Sequence, residues 1–274
     1  MPIIPHWCTG WRRAVYWLGI PADMKTLAIT GLLLAGAIGG TAPRTWHFTC
    51  DYYNFSVKGQ LTSRQRYSAS YTRGLPGDVV RWNDVSVANA GGGSGDFGPP
   101  QKQAFMEGFS YPHAEVANMT KPDFFKGFPP LAMNQRNLAW DTHMLEGFVA
   151  DFDRLKPNLP YHVPDAAAVD LAGAGTFRHR DLQLILTGTS KRNGQDCAVI
   201  DYRAMFNTLE IKTAEIGLTG RSDYWGQIWM SLATRQIEYA TLYEEVVGEL
   251  TMRGQEKPIN LSVVRVGVFE PAER

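Results

Sequence analysis

Apolar and polar positions alternate along two long parts of the chain. In the first, Trp46 to Val57 is aromatic and β-branched, Gln60 to Thr72 is more polar with Leu61, Tyr67 and Tyr71 as anchors, and Val79 to Ala88 alternates again. Each run predicts a strand, with a turn at Leu75-Pro76-Gly77-Asp78 before the last. In the second part, strand-like runs recur at hairpin spacing over 176–190, 195–206, 209–219, 224–232, 237–252 and 259–269. Turn residues separate them at Asn193-Gly194, Gly220-Arg221-Ser222, Ala233 to Gln236 and Gly254 to Pro258. Asn-Gly is the strongest of these signals, because both residues tolerate the left-handed backbone that a two-residue hairpin needs. The pattern over 176–269 predicts an antiparallel meander with short connections.

Between these parts the period changes. Residues 101–137 are irregular and aromatic, interrupted by Pro112, Pro122, Pro129 and Pro130, and read as a cover that packs Phe105, Phe109, Phe124, Phe125 and Phe128 onto the core. Asp141 to Leu155 has helical spacing: Met144, Leu145, Phe148, Val149, Phe152 and Leu155 fall on one stripe, Asp141 serves as N-cap, and Pro157 and Pro160 end the run. The expected fold class is mainly β (α+β), a curved antiparallel meander sheet or half-barrel with one packed amphipathic helix, in a single β-rich domain over 43–274.

Composition sharpens this picture in two places. Aromatics at 12% with 27 Gly and 16 Pro suit a turn-rich β protein better than a helical bundle. The formal net charge of zero, with Lys and Arg scattered, leaves no electrostatic footprint for nucleic acid or for an anionic membrane, so neither partner is expected.

From Met24 the chain reads MKTLAITGLLLAGAIGGTA, with one Lys, an apolar run Leu27 to Ile38 and small residues up to Ala42. That is the pattern of a secretory signal peptide over 24–42, and the run is too short to span a bilayer. An exported protein, periplasmic or extracellular and without a stable membrane anchor after signal removal, is the expectation. Residues 1–23 read as a leader outside the translated protein, with the start at Met24. Outside that leader two cysteines remain, Cys50 and Cys197, which are either a disulfide in an oxidising compartment or two buried thiols.

Candidate chemistry follows from register, because antiparallel partners share a face. A two-residue turn at Asn193-Gly194 sets Leu186 opposite Asp201 and Leu184 opposite Arg203. Both charged residues then lie on a face with Leu182, Leu184, Leu186 and Val199, where they need each other, water or a ligand. A four-residue loop at Ala233 to Gln236 sets Met230 opposite Tyr239, Ile228 opposite Thr241 and Gly226 opposite Tyr243 on an apolar face. Trp225, Gln227, Trp229 and Ser231 go to the other face with Glu238, Ala240, Leu242 and Glu244. Two Trp alternating with polar groups form a ligand-binding surface, or lie under the 101–137 segment.

Signals for catalysis are weak. His143 and Glu146 lie three apart on what reads as the exposed side of the helix, a spacing that could share a metal but has no third ligand nearby. His113, His162 and His179 have no readable partner. Gly93, Gly95 and Gly98 spell a dinucleotide-binding pattern, but Pro99-Pro100 follow where a helix N-terminus would have to begin. No catalytic residue, metal site or cofactor is assigned.

The run GQIWMSLATRQIEYATL, Gly226 to Leu242, resembles the strand–turn–strand unit of periplasmic half-barrel proteins of the lipoprotein-carrier type. The likeness spans 176–269 and implies a sheet whose hollow holds helices and whose cavity binds acyl chains. The chain departs from that group in having one clear helix and in its 101–137 segment, and no functional residue is carried over. The expected function is non-catalytic binding of a small apolar or lipid-like ligand in a β-sheet cavity, with Asp201, Arg203, Trp225 and Trp229 as candidate contacts. The alternatives are a secreted glycan-binding or surface-interaction module using Trp225 and Trp229, and a secreted hydrolase.

Overall fold

The computed structural model describes residues 42–93, 95–164 and 168–272. The leader and all of the signal segment except Ala42 lie outside them. Among the described residues no helix is long and apolar enough to cross a membrane.

Three strands open the fold, β1 (Arg44–Phe55), β2 (Leu61–Leu75) and β3 (Val79–Gly91), close to their expected bounds. The short strands β4 (Gln101–Lys102) and β5 (Ser110–Pro112) pair with β3. After helix α1 (Met133–Ala150) come β6 (Tyr161–His162), β7 (Ala168–Asp170), β8 (Gly175–Arg178), β9 (Leu182–Arg192), β10 (Gln195–Lys212), β11 (Ile216–Ser231), β12 (Ile237–Met252) and β13 (Ile259–Pro271). All pair antiparallel in one sheet, in the order β4-β3-β2-β1-β13-β12-β11-β10-β8-β7. β9 lies beside the first half of β10, ahead of β8, and β6 pairs with β9. The two meanders meet where the first strand joins the last, from Trp46↔Pro271 to Phe55↔Ser262. The sheet stays open and does not close into a barrel.

Segment 101–132 and α1 cover one face, here called the inner face. Phe109 meets Phe128 at 4.9 Å and Phe125 meets Trp140 at 5.4 Å between ring centroids, so the aromatic segment is a packed cover. Beneath it, Trp46 stacks on Phe269 at 5.8 Å across the β1–β13 seam, and Tyr71 meets Trp82 at 5.0 Å. Helix α1 begins eight residues before its expected start, at Met133, and ends five residues before its expected end. Asp141 is therefore not an N-cap: it stands mid-helix with its side chain turned onto the sheet. The helix's first two turns, MNQRNLAW, carry too many amides to show an apolar stripe, and tertiary contacts override that pattern.

Three local features displace the expected registers. Gly220-Arg221-Ser222 is not a turn but the middle of β11, and the connection lies at 213–215. Gly220 pairs with Gly248, and a Cβ on Gly220 would stand 2.5 Å from the Val247 carbonyl oxygen. This glycine serves close backbone approach rather than chain reversal. The Asn193-Gly194 turn forms as expected, with φ of 51° and 74°. Beyond it, however, the register shifts between Val199↔Gly188 and Ile200↔Leu186, leaving Thr187 as an extra residue whose Oγ1 donates to the Val199 carbonyl at 3.1 Å. Asp201 then pairs with Ile185 and Arg203 with Gln183, and both charges leave the leucine face. A second bulge, between Trp229↔Tyr239 and Met230↔Ile237, leaves Glu238 unpaired. It sends Tyr239, Thr241 and Tyr243 outward with the tryptophans, and Ala240, Leu242 and Glu244 inward.

Gly226 faces Leu242 across the ladder, and a Cβ there would lie 2.6 Å from the Tyr202 hydroxyl and 2.0 Å from the Thr241 carbonyl oxygen. The Tyr202 hydroxyl donates to that carbonyl at 2.7 Å, filling the space a side chain would need. Gly226→Ala should therefore lower unfolding stability by about 2–3 kcal/mol through overpacking. Urea denaturation checks this, and an unchanged midpoint would show that the close approach is not real.

Candidate functional site

Antiparallel register lines side chains of one face into lateral rows across the sheet. On the inner face one such row reads Tyr52, Arg265, Glu244, Tyr224 across β1, β13, β12 and β11. The row beside it reads Cys50, Gly267, Leu242, Gly226, Tyr202. A charged pair thus sits amid rows that are otherwise aromatic and aliphatic.

Helix α1 presents amides and a carboxylate to these rows. Asn134 Nδ2 donates to the Tyr67 hydroxyl at 3.1 Å, Asn137 Nδ2 to the Tyr52 hydroxyl at 3.2 Å, and Asp141 Oδ2 accepts from Arg265 Nη2. Arg265 Nη1 donates to Glu244 Oε2, whose other oxygen accepts the Ser222 hydroxyl at 2.6 Å. The guanidinium also stacks over the Tyr52 ring at 5.0 Å, with Cys50 Sγ at 3.9 Å from Nη2. Arg265, Asp141 and Glu244 are only 6%, 9% and 7% exposed. One buried cation is held between two buried carboxylates.

The electrostatics follow from that ratio. Burial pushes the Asp141 carboxyl up to about 6; Arg265 opposes the rise and the neighbouring Glu244 adds to it. Burial pulls the Arg265 guanidinium down, but Asp141, Tyr52 and Glu244 overcome it and hold the group well above its ordinary range. Burial likewise pushes the Cys50 thiol up to about 12 against the pull of Arg265, so this cysteine is an inert, protonated thiol.

The cluster forms one wall of a cavity of about 590 Å³ between α1 and the sheet. Its remaining lining is mostly apolar, including Met133, Trp140 and Met144 from α1, Leu209 and Ile211 from β10, Val246 from β12 and Leu261 and Val263 from β13. Its polar part also includes Asn134, Asn137 and His143 from α1, Gln65 from β2, and His179. His179 Nε2 shares a hydrogen bond with the Tyr224 hydroxyl at 2.8 Å, and burial holds both histidines below their ordinary pKa. For His143 the pull of burial outweighs the charge of Glu146.

A second polar anchor lies along α1. Glu146 accepts the Tyr71 hydroxyl at 2.9 Å and Arg73 Nη1 at 3.1 Å on Oε1, and Oε2 stands 3.3 Å from His113 Nε2. Burial raises this carboxyl, but His113, Arg73 and Tyr71 together outweigh it and hold it below the usual carboxylate range. Glu146 is therefore inward and paired, not on an exposed helix side, and its spacing to His143 has a packing cause. Among the described residues no group of three or more His, Cys, Asp and Glu is placed to hold a metal ion.

The sequence-derived candidates fall mainly on the outer face. Asp201 accepts Gln227 Nε2 at 2.8 Å, while Arg203 donates to Gln183 Oε1 from Nε at 3.1 Å and from Nη2 at 2.8 Å, so the two form no ion pair with each other. Trp225 is 42% exposed and stacks on Tyr243 at 6.0 Å with 17° between ring planes. Trp229 is half-buried beneath Arg192, 5.7 Å from its ring, and donates Nε1 to Gln227 Oε1 at 2.7 Å. The 101–137 segment lies on the other face and covers neither tryptophan. His162 meets Asp181 at 2.7 Å on the surface. Cys50 and Cys197 are both free and buried. Four strand spacings, roughly 19 Å, separate β1 from β10, far beyond disulfide reach, so the candidate bridge is not formed.

Asp141, Glu244 and Arg265 went unassigned for identifiable reasons. Asp141 fits an N-cap, and the loop-based register of β12 puts Glu244 outside. A usable signal existed: Ala240, Leu242, Val246 and Leu250 form an apolar series with Glu244 in phase, while Glu245 and Glu249 stand out of phase.

No family model matches the sequence, and no curated protein matches it. Among solved structures, a chain described as "Lipid-protein interactions in lipovitellin" superposes with a TM-score of 0.39 at 10% identity, over 84% of this chain and 25% of that one. This chain thus spans about a quarter of that protein's length.

The charge ratio makes two substitutions differ sharply. Arg265→Met leaves two buried carboxylates without a cation and should cost about 3–5 kcal/mol of stability. Asp141→Asn leaves the Arg265–Glu244 pair intact. Between the unfolded value of 3.8 and the folded value of about 6, the native state holds a proton that the unfolded chain has lost, so wild-type stability falls as pH rises through that window. The Asn variant lacks this fall and should gain on wild type by a difference on the order of 3 kcal/mol, complete above about pH 6. Thermal or urea unfolding of both proteins across pH 4–7 measures it. A variant that loses ground with rising pH would contradict the assigned burial of Asp141.

Proposed function

We propose that the protein binds an apolar or lipid-like ligand, without catalysis, in the cavity between α1 and the inner face of the sheet. We further propose that it is exported through the segment at 24–42. The cavity carries the reading: about 590 Å³ is within the range of ligand pockets, and its walls are mostly aliphatic and aromatic with polar groups among them.

The other two readings find less support. A glycan platform on both tryptophans has one exposed ring, Trp225, while Trp229 is overlain by Arg192. A hydrolase would need a nucleophile beside His143 or His179. Ser222 is fully buried and donates to Glu244, and Cys50 is sealed beside Arg265.

Filling the cavity tests the proposal. Leu209 is half-buried on β10 and lines it. Binding of a neutral apolar fluorophore such as N-phenyl-1-naphthylamine should be saturable in the wild type and weaken at least about tenfold in Leu209→Trp, with the far-ultraviolet spectrum unchanged. A fluorophore that binds both proteins equally would place its site elsewhere and sink the reading.

A further inference from the structure

An apolar ligand in this cavity must bring something to its polar groups, and the following inference rests on the ligand-binding reading above. Both Nη atoms of Arg265 are engaged by carboxylates, its ring-facing side is covered by Tyr52, and its Nε, although it has no hydrogen-bond partner among the described residues, is buried. The guanidinium is thus committed to the protein. Glu244 is committed as well, one oxygen to Arg265 and the other to Ser222. Asp141 differs. Its Oδ2 accepts from Arg265, whereas among the described residues no donor reaches Oδ1, and the residue lines the cavity.

The balance of charge points the same way. Two carboxylates against one guanidinium leave one negative charge in excess on the wall. The histidines lining the cavity do not offset it, since burial favours their neutral forms. Asp141 is faced by Arg265 from β13, Glu244 from β12, Tyr224 from β11, Tyr202 from β10, and Cys50 and Tyr52 from β1. Burial keeps the three tyrosines and the cysteine protonated. For a carboxylate as buried as Asp141, an uncompensated acceptor atom attracts a donor or a cation and repels an anion.

We infer that the ligand is an amphiphile whose head donates hydrogen bonds to Asp141 Oδ1, an amine or a hydroxyl, and that free fatty acids and other anionic lipids are disfavoured. The tail occupies the aliphatic region lined by Leu209, Ile211, Val246 and Leu261. Selection by head thus resides in a single carboxylate oxygen, while the tail region accepts apolar chains without specific polar contacts.

Three competitors with one tail isolate the head: dodecylamine, dodecanol and dodecanoate, each displacing N-phenyl-1-naphthylamine from the full chain below its aggregation concentration. At neutral pH the amine and the alcohol should displace the fluorophore at concentrations about tenfold or more below that needed for dodecanoate. Asp141→Asn should shrink the amine-to-dodecanoate gap to about threefold or less. Dodecylamine keeps its charge at about pH 5, where Asp141 takes up its proton, so it should need a higher concentration there than at neutral pH to displace the fluorophore from the wild type. Dodecanoate displacing as well as the amine in wild type at neutral pH overturns the inference while leaving the cavity as a ligand site. A fluorophore that does not bind at all overturns the ligand-binding reading itself. The wild-type ranking needs no variant, so a misfolded Asp141→Asn would not rescue the inference.

Discussion

A guanidinium cannot be left alone in a protein interior, and the position of Arg265 on the inner face of β13 constrains much of what surrounds it. Glu244, its cross-strand neighbour, answers that demand from the sheet, and Asp141 answers it from the helix. The second answer positions α1. The helix face that buries Leu138, Leu145 and Phe148 also bears Asn134 and Asp141, with Asn137 beside them, and each of these three polar side chains is fixed by a sheet partner in the Tyr67, Tyr52, Arg265 series. Glu146 repeats the arrangement further along, with Tyr71, Arg73 and His113. Polar anchors fix distance and rotation more narrowly than apolar contacts do, so α1 is held at a stand-off and a cavity persists beneath it.

The topology assembles this cluster from contacts far apart in sequence. Arg265 and Tyr52 face each other only once the last strand has joined the first, and Asp141 reaches them only after the segment between β3 and β8 has folded across the inner face. Contacts so distant in sequence are costly to form and mutually dependent once formed. Trp46 spans the same gap a second way: its indole stacks on Phe269 and donates to the Ile237 carbonyl at 2.8 Å. The seam between the two meanders is therefore fastened by an aromatic stack toward one end and by the buried charges toward the middle.

Local rules were enough for most of the sheet. The strands of the first meander, the Asn193-Gly194 hairpin and the aromatic cover all follow from alternation, turn chemistry and the company phenylalanines keep. Besides the turn expected at 220–222 and the start of α1, what escaped were events of one residue. Thr187 and Glu238 each add a single position to one strand of a pair, and because side chains alternate with a period of two, each bulge reverses every assignment beyond it. The first moved Asp201 and Arg203 off the leucine face, removing an apparent conflict. The second moved Glu244 onto the inner face and created the real one. Phe206 marks a third irregularity: its φ of 61° is costly for a bulky side chain and is held by the Asp223 carboxylate on its amide. No turn signal announces such bulges. The pairing of Asp141 with Arg265 spans 124 positions and is invisible to any local pattern.

The residues that hold the fold are also those that would meet a ligand, and this couples the two. Asp141 gains one charged hydrogen bond from Arg265 and bears the desolvation of a full carboxylate, a poor exchange that shows in its raised pKa. A donor brought to Oδ1 by a bound amphiphile improves that exchange without altering the Arg265–Glu244 pair. Binding then strengthens the contact that fixes α1 to the sheet, so ligand affinity and helix docking become parts of one equilibrium. The same reasoning limits what the site accepts: a second anion beside Asp141 would weaken the anchor it must rely on to stay enclosed. On the proposed reading, the excess carboxylate of an otherwise satisfied ion cluster acts as the selective element of the cavity.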